Sequence, residues 1–149
     1  MKRAKLHKDA DLLNTGTVGA VALDRHGNLA AATSTGGTSN KAPGRVSDTA
    51  VVGAGAVAKH GLVAVSCTGN GDIFLRCASA HDVAARLQHS KVALSSAARA
   101  ALKAVARMGG DGGIIAIDRK GNYVMDFNAP GMYRGVITQA NRPRVGIFA

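Results

Sequence analysis

Apolar residues occur in short runs along the chain, and the first two runs have the length of β-strands. They occupy residues 18–23 and 29–35. The connecting residues 24–28 include a glycine and an asparagine, which favour a tight turn. The first run consists of small and β-branched residues, as is typical of a strand inside a protein. The pattern therefore predicts a β-hairpin that begins with a buried strand.

The middle of the chain changes from strand spacing to helical spacing. A strand is predicted at 62–68, after a loop at 36–47 that is rich in glycine, serine, asparagine and proline. Apolar residues then recur three and four positions apart in two segments, one at 79–87 and one that runs from Ser95 until Gly109 stops it. We therefore predict two adjacent helices.

The last part of the chain returns to strand patterns, at 113–117, 123–127 and 145–148. The turn at 118–122 repeats the Asp-Arg-x-Gly-Asn pattern of the turn at 24–28, which indicates a second hairpin of similar build. Hairpins that flank a pair of helices favour an α+β fold, with a largely antiparallel sheet covered by helices on one face. The other face needs a different covering layer.

Polar and charged residues fill the N-terminal segment, so we predict a disordered linker at 1–16 ahead of one folded domain at 17–149. The chain has 149 residues and 46% hydrophobic content, enough for a sizeable core. No apolar run reaches the roughly 20 residues that span a bilayer. The basic start is not followed by an apolar signal segment. These features predict a cytoplasmic protein with no membrane partner.

A net charge of +10 suggests nucleic-acid binding as one function. However, the Lys and Arg residues are dispersed, and with three Phe, two Tyr and no Trp few rings are present to stack on bases. We predict no nucleic-acid partner. Cys67 and Cys77 lie in or beside apolar segments and are expected to be reduced and buried. The five histidines are scattered without ligand spacing, so neither a metal nor a cofactor is predicted.

Candidate chemistry is concentrated at strand ends and in the loop at 36–47 and just beyond it. Arg45 and Asp48 lie three positions apart, where the arginine can bind a carboxylate and the aspartate an ammonium, the two charges of an amino acid. Thr68 and Gly69 end a predicted strand, and their hydroxyl and backbone N–H suit an oxyanion hole. Thr35 ends another strand with a hydroxyl.

Each of these features also has a purely structural interpretation. Arg45 and Asp48 can pair with each other at the surface, where an ion pair contributes little. The run Gly69-Asn70-Gly71 can be only a turn, and Thr35 can be an ordinary strand threonine.

Gly16 and Thr17 stand at the head of the first predicted strand. If the bond between them is cleaved, Thr17 gains a free α-amine beside its own hydroxyl, so that one residue holds both a nucleophile and its base. This is the chemistry of an N-terminal nucleophile hydrolase. Taken alone, a Gly-Thr pair also fits an interior strand.

Four motifs, taken in order and spacing, carry a resemblance to a known family. From Gly16 to about Phe148 the chain resembles the β subunit of plant-type L-asparaginases, also called isoaspartyl aminopeptidases or β-aspartyl peptidases, of the N-terminal nucleophile superfamily. The resemblance implies an αββα sandwich, of which this chain supplies the β-subunit half. The motifs are GTVGAVALD at 16–24, ATSTGG at 32–37, PGRVSD at 43–48 and SCTGNG at 66–71.

The resemblance implies a reaction for the first of these motifs. Thr17 would be the nucleophile, freed by autocleavage after Gly16, and Thr35 would assist it. The substrate would be the side-chain amide of asparagine or the β-linked bond of an isoaspartyl dipeptide, and the sequence leaves both open. A β-aspartyl ester on Thr17 would form and be hydrolysed by water.

The resemblance also implies the binding residues. Arg45 would bind the α-carboxylate of the substrate and Asp48 its α-ammonium. Thr68 and Gly69 would stabilise the tetrahedral oxyanion, and Gly71 would line the substrate site.

Precursors in this family carry a long α portion before the threonine, which supplies half of the sandwich, a sodium-binding loop and further substrate contacts. Residues 1–16 resemble only the end of the linker between the two portions. The expected partner is therefore an α subunit of the same enzyme, in αβ units that assemble in pairs as a heterotetramer. The alternative is a truncated, inactive remnant or an interaction module with the same fold.

Overall fold

The computed structural model describes residues 16–148, and strands and helices in this range form an α+β fold. The predicted linker at 1–16 lies outside the described residues except for Gly16. The strands are β1 (Thr17–Leu23), β2 (Leu29–Thr35), β3 (Ala56–Lys59), β4 (Val63–Gly69), β5 (Gly112–Asp118), β6 (Tyr123–Phe127), β7 (Arg134–Thr138) and β8 (Asn141–Gly146). The α-helices are α1 (Gly71–Cys77), α2 (Ser79–Ala85) and α3 (Leu94–Arg107).

The strands form three antiparallel sheets. The central sheet has the order β3-β4-β5-β6. Within residues 16–148, β1 pairs only with β2, and β7 only with β8, in separate two-stranded sheets. The prediction of an α+β fold with largely antiparallel strands is confirmed.

The core lies between the central sheet and the helices, where α2 and α3 pack on β4 and β5. Phe74, Val83, Val105 and Ile114 are fully buried there. Burying a side chain of this size contributes about 1.5–3 kcal/mol. The longest helix in residues 16–148 has 14 residues, and none of the helices there has both the length and the apolar character that a membrane span requires.

The opposite face of the central sheet is covered by the β1–β2 hairpin. Gly19 of β1 lies so close to Ser66 of β4 that a Cβ atom at position 19 would overlap the Ser66 hydroxyl. The prediction of a buried first strand is wrong, since none of the residues of β1 is buried. Since the hairpin is an outer layer, β1 contacts the sheet on one side only, and Val18 on the other side is 68% exposed.

The two turns with the Asp-Arg-x-Gly-Asn pattern have the same build, as predicted. Asp24 Oδ1 accepts hydrogen bonds from the backbone N–H groups of His26 and Asn28, both at 2.8 Å, and Asp24 Oδ2 accepts one from the Asn28 side chain. Asp118 accepts the three corresponding bonds in the second turn. The glycine of each turn has a positive φ, 84° in the first and 82° in the second, which only glycine adopts without strain.

The structure corrects several predicted elements. Three α-helices are present in residues 16–148 rather than two, because Gly71, two residues after the end of β4, begins α1 instead of forming only a turn. The predicted helix at 79–87 continues from α2 into a π-helical turn, Arg86–Ser90. Strands β3 and β7 were not predicted, and the last strand lies at Asn141–Gly146 rather than at 145–148.

Candidate active site

A cleft of about 620 Å³ opens where β1, β2 and β4 present their ends. Loop residues between β2 and β3 and the start of α1 complete its wall. All eight residues that the sequence predicts for the site line this cleft: Gly16, Thr17, Thr35, Arg45, Asp48, Thr68, Gly69 and Gly71. Residues that lie up to 55 positions apart in the sequence, from Gly16 to Gly71, therefore come together around one cleft.

Thr17 and Thr35 face each other across the β1–β2 hairpin. Thr17 is the first residue of β1 and Thr35 the last of β2, and the antiparallel register makes them direct partners. Side chains of directly opposed residues are neighbours on one face of a sheet. Thr35 Oγ1 accepts a hydrogen bond from the backbone N–H of Gly37 at 2.9 Å, which fixes the start of the next loop.

Gly69 ends β4 opposite Gly112 of β5, at a point where no side chain fits. Its φ is +138°, and a Cβ atom would overlap the backbone oxygen of Asp111 and lie 2.6 Å from the Gly112 Cα. Next to it, the Asn70 side chain accepts a hydrogen bond from the Asp111 N–H at 2.6 Å. The strand end is thereby held against β5, and its main chain lines the cleft.

Asp48 is a buried carboxylate in the cleft wall, with 5% of its surface exposed. It begins the 3-10 turn Asp48–Ala50, and its Oδ1 accepts a hydrogen bond from the Ser47 hydroxyl at 3.3 Å. Burial raises the pKa of Asp48 above its ordinary value, against the opposing effects of hydrogen bonds and of the nearby Arg45 charge. A Cβ atom at Gly71 would overlap Ser47 Oγ and lie 2.5 Å from Asp48 Oδ1, so the glycine makes room for the carboxylate.

Arg45 pairs with a residue that the sequence did not single out. Its Nη2 donates a hydrogen bond to Asp72 Oδ1 at 2.8 Å, and the Arg45 side chain is 24% exposed. The suggestion that Arg45 and Asp48 pair with each other is wrong, since the ion pair formed is with Asp72. Asp72 lies 27 residues further along the chain, so no local pattern connects it with Arg45. The sequence signal that could have identified Asp72 is its position in the first turn of α1, directly after Gly71.

A second cavity of about 330 Å³ adjoins the cleft, and Thr17 lines both. Met132, Tyr133 and Cys67 also line this cavity. Burial raises the pKa of the Cys67 thiol far above its ordinary value, so the thiol stays protonated and is a poor nucleophile. Cys67 is buried as predicted, whereas Cys77 is only half-buried, and both are free thiols.

The three carboxyl groups Asp24, Asp48 and Asp72 are expected to titrate in two classes when followed by 13C NMR. The pKa of Asp48 lies above the ordinary value because of burial. The pKa values of Asp24 and Asp72 lie below it, mainly because of hydrogen bonds from Asn28 and Arg45. The contribution of Asp48 to the stability of the fold is present below its unfolded pKa and is lost as the pH rises through its folded pKa. The contributions of Asp24 and Asp72 are present above their unfolded pKa values and are lost as the pH falls through their folded pKa values. Equal pKa values for all three would contradict the description of the cleft.

Comparison with known proteins places this chain in one family. A family model described as asparaginase matches residues 2–147, so the chain belongs to the asparaginase family. The isoaspartyl peptidase of Escherichia coli (strain K12) is 51% identical over 134 residues, which are 89% of this chain and 42% of that protein.

Two further relatives give the same picture. The isoaspartyl peptidase of Salmonella typhimurium is 48% identical over 146 residues, 95% of this chain and 47% of the relative. The isoaspartyl peptidase/L-asparaginase of Bos taurus is 42% identical over 137 residues, 89% of this chain and 44% of the relative. The chain thus spans less than half the length of these curated relatives.

Proposed function

We propose that this chain is the catalytic half of an amide hydrolase that uses Thr17 as an N-terminal nucleophile. Its substrates are compounds in which a β-aspartyl group is joined through an amide, namely L-asparagine and β-aspartyl dipeptides. The relatives support this substrate class, since they are named isoaspartyl peptidase and isoaspartyl peptidase/L-asparaginase. The observation that carries the proposal is the shared cleft, in which Thr17 lies with one buried carboxylate and one guanidinium.

The first step is cleavage of the peptide bond between Gly16 and Thr17. The Thr17 hydroxyl attacks the Gly16 carbonyl carbon, the C–N bond breaks to free the Thr17 α-amine, and water hydrolyses the resulting ester so that Gly16 ends in a carboxylate. In the reaction with substrate, the Thr17 hydroxyl transfers its proton to this amine while Oγ attacks the amide carbon. The proton then passes to the leaving ammonia or amino acid, and a β-aspartyl ester remains on Thr17. Water, deprotonated by the same amine, hydrolyses the ester and releases aspartate. Thr35, the direct cross-strand partner of Thr17, orients the reacting hydroxyl.

The remaining residues of the cleft bind the substrate and its transition state. Arg45 binds the α-carboxylate and Asp48 the α-ammonium, while Gly71 leaves room for the Asp48 carboxylate. Thr68 and Gly69 donate hydrogen bonds to the oxyanion of the tetrahedral intermediate. One such donor typically contributes about 10²–10³ in rate.

We propose that the partner is an α subunit that covers the outer face of the β1–β2 hairpin and completes an αββα sandwich. Residues of both strands are exposed on this face, and Val18 is 68% exposed. The greater length of the relatives supports such a partner. We further propose assembly of αβ units in pairs. A cytoplasmic location fits the free thiols of Cys67 and Cys77.

Replacing Arg45 by alanine is expected to raise KM for L-asparagine roughly 10- to 100-fold, since a hydrogen bond to a charged group contributes about 1.5–3 kcal/mol. kcat changes little and the Gly16–Thr17 bond is still cleaved, because the proposed role of Arg45 is confined to the α-carboxylate of the substrate. Hydrolysis is measured by release of aspartate from L-asparagine and from β-aspartyl-leucine, with the chain alone and with an α chain.

Arg86→Ala is the matched control for this variant. It also removes an arginine from an ion pair, here with Asp82 at 2.9 Å on α2, outside the cleft. An unchanged KM in Arg45→Ala would contradict the binding role, and a block of cleavage in that variant would make its role structural.

A further inference from the structure

The ion pair between Arg45 and Asp72 holds the guanidinium from outside the cleft. Arg45 lines the cleft and is mostly buried, whereas Asp72 is not in the cleft wall and its side chain is 79% exposed. Asp72 Oδ1 accepts the hydrogen bond of Nη2, one nitrogen of the planar guanidinium. The remaining N–H donors form no other hydrogen bond with residues 16–148, so they stay available to a ligand in the cleft.

A second carboxylate competes for Arg45. Asp48 follows it by three residues in the same loop, and the Arg45 charge is near enough to lower the pKa of Asp48. A buried carboxylate is costly unless a cation pairs with it. Yet Asp48 accepts its side-chain hydrogen bond from Ser47, and Arg45 pairs with the exposed Asp72 instead. Arg45 is therefore paired with Asp72 and not with the nearer-in-sequence Asp48.

We propose that Asp72 is a positioning residue that keeps Arg45 apart from Asp48, so that the cleft presents a separate cation and anion to a zwitterionic α-amino acid. This inference rests on the proposed function for its biological meaning. A direct Arg45–Asp48 pair would neutralise both groups and leave neither free for the α-carboxylate or the α-ammonium. The substrate class that follows is one with both charges free, such as an unmodified L-aspartyl β-amide.

The start of α1 arranges both charges at once. Gly71 lies against Ser47 and Asp48, and the next residue, Asp72, holds Arg45. Two successive residues of one helix thus contact the two ends of the loop segment from Arg45 to Asp48. Asp72 is too exposed to be needed for the core, which makes its substitution a test of position rather than of folding.

The first test is the pKa of Asp48, measured by 13C NMR in Asp72→Asn. Once released, Arg45 is expected to pair with Asp48 and lower its pKa by roughly one unit or more. Removal of the Asp72 charge itself also lowers this pKa, so the same substitution is made in an Arg45→Ala background, where only that direct effect remains. Other ionisable groups around Asp48 are Lys41 and Asp111 in the cleft wall and Cys67 on β4, and they are unchanged in every variant.

The proposal is supported if Asp72→Asn lowers the pKa of Asp48 more in the chain that keeps Arg45 than in the Arg45→Ala background. Asp72→Glu restores a carboxylate, so with this variant the pKa of Asp48 should lie closer to its wild-type value than with Asp72→Asn. Asp82→Asn is the matched control, because it breaks another Asp–Arg pair, on α2, and should leave Asp48 unchanged. Equal shifts in both backgrounds would overturn the proposal. This measurement needs no catalysis, so its result does not depend on whether the proposed function holds.

The second test compares substrates. With L-asparagine, Asp72→Asn is expected to raise KM about tenfold with little change in kcat, because only binding of the two charges is disturbed. β-Alaninamide lacks the α-carboxylate but keeps the ammonium that Asp48 binds, so its KM should also rise in this variant, because the Arg45–Asp48 pair engages both groups. An effect confined to L-asparagine would show that only Arg45 is disturbed and would overturn the proposal. If the wild-type chain hydrolyses neither substrate, with or without an α chain, the proposed function fails while the NMR result still decides the role of Asp72.

Discussion

Thr17→Ala is expected to abolish both cleavage of the Gly16–Thr17 bond and hydrolysis of substrate. The variant removes the hydroxyl that attacks in each reaction, while the cleft and the strand register remain. Loss of a catalytic nucleophile removes essentially all of the rate that depends on covalent catalysis, on the order of 10⁴-fold or more. The length of the chain is followed by intact-mass spectrometry and hydrolysis by release of aspartate.

Two variants make the result specific. Thr17→Ser keeps a hydroxyl at the same position and should retain part of both activities. Thr49→Ala removes a threonine that also lines the cleft but has no proposed role, and it should leave cleavage unchanged. Cleaved product from Thr17→Ala would rule out Thr17 as the nucleophile and direct attention to another group in the adjoining cavities.

Gly69→Ala is expected to cost roughly 3 kcal/mol or more in unfolding free energy and to remove activity. Position 69 combines a φ of +138° with a Cβ atom that would overlap the Asp111 oxygen. The two nearest atoms belong to the backbone of Asp111 and Gly112, at and just before the start of β5, and backbone cannot rotate away as a side chain can. Relief therefore requires the end of β4 to separate from β5, and this displaces the proposed oxyanion donors. Urea unfolding and the aspartate assay measure the two effects.

Gly61→Ala is the control that separates the effect of backbone strain from the effect of steric overlap. Gly61 also has a positive φ, +68°, but nothing lies within 4 Å of a Cβ atom there. This control should cost only about 1–2 kcal/mol, the usual penalty for a left-handed conformation. If Gly69→Ala is no more destabilising than Gly61→Ala, the close approach of β4 and β5 is not as described.

Features set by local sequence were predicted well. Both Asp-Arg-x-Gly-Asn turns form as expected, because Asp24 and Asp118 satisfy backbone N–H groups within five residues of themselves. The spacing that predicts the helix from Ser95 corresponds to α3, whose apolar face is buried. The predicted site residues share one cleft because they lie at strand ends and in the connecting loop that meet at a single edge of the fold.

Features set by distant contacts were not predictable in the same way. The exposure of Val18 depends on β1 lying in an outer layer, which the apolar run itself does not reveal. The choice of Asp72 over Asp48 as the partner of Arg45 depends on how α1 leaves β4. Strand β7 contains a glycine, Gly135, and no long apolar run, so its sequence alone does not indicate a strand and its pairing with β8 defines it.

The central claim is that Thr17 becomes an N-terminal residue, and intact-mass spectrometry of the purified chain tests it most directly. The measurement is made on the chain alone and after coexpression with an α chain. We expect a product that begins at Thr17 and lacks residues 1–16, formed together with hydrolysis of β-aspartyl amides. A stable product that keeps Met1 even when the α chain is bound would contradict this claim.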